Sequence, residues 1–121
     1  MKIERFEDIL AWKKARELVK SIYQVTSDGN FAKDYGLKDQ IRRASVSIMS
    51  NVAEGYARQT NKEFNQFPHI ALGSVAEVQS QLYIAQDLNY ISKEEFGRIY
   101  ELASESARLI TGFIKYLKGA K

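Results

Sequence analysis

The chain has no cysteine, one histidine and one proline among 121 residues, and each scarcity removes a class of chemistry. Without cysteine there is no disulfide framework, thiolate zinc site, iron–sulfur cluster or thiol nucleophile, a composition at home in a reducing cytoplasm. The lone His69 leaves little for metal or triad chemistry, and Gln66 stands where the Glu-x-x-His pair of di-metal bundles needs a carboxylate. No glycine-rich phosphate loop or serine-centred elbow is present. Long apolar runs are missing as well. The longest stretch without a charged side chain, residues 64–76, contains Asn65, Gln66, Pro68 and His69, far from the roughly 20 apolar residues of a membrane span. Lys2, Glu4, Arg5, Glu7 and Asp8 occupy the start, where an export signal needs an apolar core. The expectation is a cytoplasmic protein with no cofactor, no metal and no membrane partner.

What is present is 45% hydrophobic, 27% charged and 12% aromatic, the composition of one globular domain spanning residues 1–121. That length supports a single core without staples. The net charge is +3, and it is unevenly placed. Residues 1–60 carry 11 Lys/Arg against 8 Asp/Glu, residues 61–121 carry 7 against 7, so an anionic partner would meet the first half.

Four long segments have helical periodicity and none alternates as a strand does. The first, residues 8–26 with Asp8 as a candidate N-cap, repeats Ala11, Ala15, Leu18, Ile22 and Val25 at three- and four-residue steps, and Ser27, Asp28, Gly29 and Asn30 stop it. The second, residues 36–58, aligns Leu37, Ile41, Ala44, Ile48 and Val52, with Gly55 weakening its last turn. Thr60, Asn61, Lys62 and Glu63 have the form of a capping box opening the third, which carries Phe64, Phe67, Ala71, Ser74, Val78, Leu82 and Ala85. Pro68 inside it predicts a kink or a late start. A second capping box, from Ser92 to Glu95, opens the fourth, whose seam of Phe96, Ile99, Ala103, Ser106, Ile110, Phe113 and Leu117 is the cleanest in the chain. Short connections permit antiparallel neighbours, so the expected fold is all-α, an antiparallel up-down-up-down four-helix bundle.

Two features of the second helix go beyond core-making. Gln40, Ser47, Asn51, Glu54 and Arg58, spaced 7, 4, 3 and 4, form a polar stripe on one face. It reads either as a hydrogen-bond network at a helix interface, with Glu54 and Arg58 ion-paired, or as a binding groove. Lys38, Arg42, Arg43, Arg58 and Lys62 form the densest basic run, in which Lys38 and Arg42 align as a phosphate clamp and Asp39 can neutralise Arg43 across one turn. The other reading of that run is a solvated surface. Second apolar stripes, Leu72, Val75 and Tyr83 on the third helix and Leu102, Leu109 and Tyr116 on the fourth, either widen the core or serve self-association.

The stretch QIRRASVSIMSNVAEG at residues 40–55 resembles the hallmark of the 23S rRNA intervening-sequence proteins, also called S23 ribosomal proteins. Phe6, Ile9, Trp12 and Ala15 are similar to that family's opening motif, with isoleucine in place of leucine, and Ile70, Ala71, Gly73, Ser74 and Glu77 to its third-helix motif. Pro68 departs from the pattern. The resemblance implies a four-helix bundle and, through the related accessory protein of diversity-generating retroelements, a homopentamer with a surface for RNA or a nucleic-acid-processing protein. It implies that Arg42, Arg43 and Arg58 face ligand or partner, while Ser47, Asn51, Glu54 and Glu77 hold bundle or subunit contacts; the basic run adds Lys38 and Lys62 to the expected binding residues, and Gln40 and Ser74 join the expected polar network. The expected function is a non-enzymatic oligomer that binds RNA through basic surface. The alternative is an oligomeric scaffold for a protein partner; a hydrolase built on Glu54 and Glu77 lacks a nucleophile or cofactor.

Overall fold

The computed structural model describes residues 3–59 and 65–119. Its described residues are helical and include no strand. A 3-10 turn at Phe6–Asp8 leads into α1 (Leu10–Val25), followed by the short α2 (Gly29–Lys33), α3 (Tyr35–Ala57), α4 (Gln66–Asp87) and α5 (Lys93–Gly119). Helix α1 packs on α3 and α5, and α4 packs on the same two. Between them lies the core that the apolar stripes predict: Ala11, Ala15, Leu18 and Ile22 from α1, Ile41, Ile48 and Val52 from α3, Val78 and Leu82 from α4, Ile99 and Ile110 from α5, all buried. Truncating one of these large aliphatic side chains to alanine costs about 2–5 kcal/mol in such a setting.

Helix termini depart from expectation in instructive ways. Asp8 is not the N-cap of α1: it closes the 3-10 turn, its backbone N–H donating to Arg5 O at 3.0 Å, and Ile9 takes the cap position. Ile9 is buried, so the entry of α1 is set by placing an apolar side chain under the core rather than by satisfying a backbone donor. The break after α1 is real but holds a further helix. Gly29 starts α2 with φ +66, a left-handed value that glycine reaches without a Cβ clash. This short helix buries Phe31. The Thr60 to Glu63 capping box, Lys62 and Phe64 lie outside the described residues. The Ser92 box is formed in full: Ser92 Oγ accepts from Glu95 N at 3.0 Å while Ser92 N donates to Glu95 Oε1 at 2.8 Å.

Helix α4 ends in a Schellman turn that sequence periodicity did not suggest. Asn89 adopts φ 60, Tyr90 N donates to Ala85 O at 2.8 Å and Asn89 N to Gln86 O at 3.0 Å. The turn delivers Tyr90 to the start of α3, where its ring lies 5.2 Å from that of Phe31 and its hydroxyl donates to Asp34 Oδ2 at 2.9 Å. Asp34 Oδ1 meanwhile accepts from Leu37 N at 3.1 Å and caps α3. One carboxylate thus fastens α2, the head of α3 and the tail of α4. It also raises the Tyr90 hydroxyl above its ordinary pKa of 10.0, first by accepting its proton in a hydrogen bond, then by burial and by its negative charge.

Pro68 falls in the first turn of α4, where a backbone N–H has no intrahelical partner anyway, so its missing donor is not a defect. Pro68 is also buried, so Pro68→Ala should cost about 1–2 kcal/mol through two lost buried carbons, opposite in sign to the roughly 3 kcal/mol gain that relieving an interior proline gives; urea unfolding measures it. The Tyr90 proton is held more firmly in the folded state, so the stabilisation it provides is complete below pH 10.0 and is lost as pH rises through the higher folded value. The stability gap between the native protein and Tyr90→Phe, followed by urea midpoints from neutral pH upward, should therefore shrink only in the alkaline range.

Candidate nucleic-acid interface

The residues of the basic run have separate surroundings. Arg42 is half-buried and committed to the joint between α1 and α3. Its Nε donates to Thr26 Oγ1 at 2.7 Å, its Nη2 reaches Ser27 Oγ at 3.4 Å, and its guanidinium carbon lies 4.2 Å from the centre of the Tyr23 ring. Thr26 is fully buried at the end of α1, and its hydroxyl donates to Ile22 O at 2.7 Å while accepting from Arg42, so both of its hydrogen-bonding capacities are used. Lys38 turns towards Tyr35, its ammonium 4.9 Å from the ring centre. Lys38 and Arg42, one turn apart on α3, are therefore each paired with an aromatic ring. Arg43 is exposed, and no ion pair joins it to Asp39 among the described residues, contrary to the expected neutralisation across one turn. Arg58 pairs with Glu54 at 2.6 Å on the surface and lies over Phe67 at 5.4 Å. Such an exposed pair contributes at most about 1 kcal/mol.

The polar stripe of α3 meets α4. Ser47 Oγ accepts from Ser74 Oγ at 2.9 Å and from Asn51 Nδ2 at 3.0 Å, and Asn51 also donates to Ser47 O at 2.9 Å. Gln81 Nε2 donates to Gln40 Oε1 at 3.4 Å, a partner that periodicity did not single out. Small residues permit the close approach behind these bonds, since Ala44 and Ala71 are buried beside them. Glu77 is exposed and lines a shallow recess of about 320 Å³ with Gln40, Arg43, Ser47, Ser74 and Gln81. Glu54, on the same stripe, is occupied with Arg58.

A wider recess of about 520 Å³ opens between α1 and α3, lined by Tyr23, Asp39, Arg42, Arg43, Val46 and Ser47. Two guanidinium groups face one carboxylate there. Arg16 and Lys20 precede Tyr23 at helical steps along α1 and are exposed, Lys20 lining a separate recess between α1 and α5 with Glu17, Arg98, Glu101 and Glu105. In the sequence the α1 cations Lys13, Lys14, Arg16 and Lys20 are ambiguous because Glu17 sits among them; in the structure Glu17 pairs with Lys14 at 3.1 Å and shares the α1–α5 recess with Lys20. No group of three or more histidines, cysteines, aspartates or glutamates able to hold a metal ion occurs among the described residues, and no described helix is long and apolar enough to cross a membrane.

The 23S rRNA-intervening sequence protein family matches residues 7–112. Among solved structures, a protein of unknown function from the S23 ribosomal protein family of Bacteroides thetaiotaomicron is similar, with 26% identity and a TM-score of 0.77 over 88% of this chain and 99% of that one. No curated protein matches.

The two neighbouring arginines should separate in a stability measurement. Arg42→Ala removes the charge-assisted hydrogen bond to Thr26, whose hydroxyl keeps its bond to Ile22 O, and releases the Tyr23 ring, at a cost of about 1–2 kcal/mol. Arg43→Ala removes an exposed side chain and should stay within about 0.5 kcal/mol of the native protein. Urea unfolding of the two variants side by side tests the assignment.

Proposed function

The chain belongs to the 23S rRNA-intervening sequence protein family, and from that premise we propose that it is a non-enzymatic, cytoplasmic homo-oligomer that binds RNA through the α1–α3 side. The observation that carries this reading is the recess lined by Arg42, Arg43 and Asp39, with Arg16 exposed two turns before Tyr23 on α1. Fixed cations on one side attract a phosphate backbone and release its counterions. Lys38 and Arg42 add charge that is held in place by aromatic rings.

In this reading the four long helices form an antiparallel up-down-up-down bundle. Support comes from the order of the contacts: Gln40 meets Gln81 where Ser47 meets Ser74, and Lys14 meets Glu105 where Ser21 meets Arg98. Self-assembly, with a pentamer as the family resemblance implies, is supported by α4. Ile70 and Ile84 on that helix and Leu88, its C-cap, share one side by their spacing and are 43%, 46% and 50% exposed, with Glu77 between them. Exposed aliphatic side chains aligned on one helix are the usual mark of a contact surface. The scaffold alternative uses the same surface for a different protein.

Light scattering after size exclusion, on nuclease-treated protein with and without added RNA at low and high salt, tests this function. We expect a discrete oligomer that takes up RNA at low salt and releases it as salt rises. Arg43→Ala should reduce the slope of log affinity against log salt by about one, with assembly unchanged. An oligomer indifferent to RNA overturns RNA binding in favour of a protein scaffold, and a monomer overturns self-assembly.

A further inference from the structure

We propose that the α1–α3 side is a stacking platform for unpaired RNA bases, with Tyr35 taking one base and the Tyr23–Arg42 couple another. The inference rests on the RNA-binding reading above and specifies its ligand as single-stranded rather than duplex RNA. Tyr35, the first residue of α3, is 70% exposed, and no core requirement explains a tyrosine there. Its ring already attracts a cation, with Lys38 Nζ 4.9 Å from the centroid. One turn further along α3, Arg42 lies 4.2 Å over Tyr23, which is itself 40% exposed.

The second couple is held in place. Thr26 and Ser27 hold the guanidinium from one edge, and Ser27 Oγ is in turn tied to Tyr23 O. A planar guanidinium fixed in this way loses little freedom when a base is laid on it. Unpaired bases stack on tyrosine rings and on arginine planes, whereas the bases of an A-form duplex are stacked on one another and offer no free face. Seven residues separate Tyr35 from Arg42 in one helix, about 10 Å of axial rise. A strand advancing about 3.4 Å per nucleotide covers that distance in about three nucleotides. Arg43, which lines the same recess as Tyr23 and Arg42, and Arg16, exposed two turns before Tyr23 on α1, are placed to meet the phosphates. The other cation–aromatic couples do not offer the same surface: Arg16 lies over the half-buried Trp12, and Arg58 is already paired with Glu54.

The test uses the whole chain, a labelled oligouridine of about 20 nucleotides and an RNA duplex of the same length, with binding followed by anisotropy across a salt series. Tyr35→Leu should weaken oligouridine binding about five- to 100-fold, Tyr35→Phe should restore it, and the salt slope should not change, because stacking releases no counterions. Duplex binding should be the same in all three proteins. If oligouridine is bound with a salt-dependent affinity that Tyr35→Leu leaves alone, the platform is overturned and RNA binding stands. A loss shared by both RNAs with a shallower salt slope also overturns it, since Tyr35 then only positions the Lys38 charge. Failure of the native protein to bind either RNA overturns the platform together with the function it rests on.

Discussion

The hydrogen bond from Arg42 to Thr26 decides how the rest of the polar surface is organised. Thr26 ends α1 fully buried, with its hydroxyl returned to Ile22 O. An unpartnered lone pair there would cost about 1–3 kcal/mol. The guanidinium supplies the missing donor and, being planar, lies against Tyr23 at the same time. That single side chain therefore pins the end of one helix to the flank of another and leaves its neighbour, Arg43, free of any such duty. The division between a structural and an available arginine at adjacent positions follows from the 100° turn between consecutive helical residues.

A comparable economy governs the other end of α3. Asp34 caps the helix through one oxygen and receives the Tyr90 hydroxyl on the other, so the carboxylate is satisfied on both sides of a joint between three helices. The Schellman turn after α4 is what brings Tyr90 there. Between these two joints, Ser47 and Ser74 let α3 and α4 approach closely through small side chains and one shared hydrogen bond. The polar stripe of α3 is thus integrated into helix packing, and the basic residues stand on the adjacent side.

Much of this was legible in the sequence where the cause is local. Apolar residues at three- and four-residue steps placed α1, α3 and α5 within two residues, while α4, expected to open at the Thr60 box, begins at Gln66, the late start that Pro68 allows; the Ser92 box is formed as its spacing requires. The Glu54 to Arg58 pair, four residues apart, is likewise local. Contacts that join distant segments were not legible. Arg42 and Thr26 are 16 residues apart and Tyr90 and Asp34 are 56 apart, and no periodicity relates such pairs before the chain is folded. Asp8 was misread for a related reason: a capping residue type is only a propensity, and burial of Ile9 outweighed it. The short α2 escaped notice because five residues opening on glycine carry too little periodicity to register.

The modest net charge of +3 is consistent with a basic binding side once the acids are located. Glu17 pairs with Lys14, Glu105 also reaches Lys14, Glu101 pairs with Arg108, and Glu54 with Arg58. These pairs place most of the described ionic contacts along α5 and at the far end of α3, away from the recess where Arg42 and Arg43 face Asp39. Net charge sums over the whole surface, but a phosphate within about 8 Å, the screening length at physiological salt, responds to the cations beside it. Local placement therefore matters more here than the total.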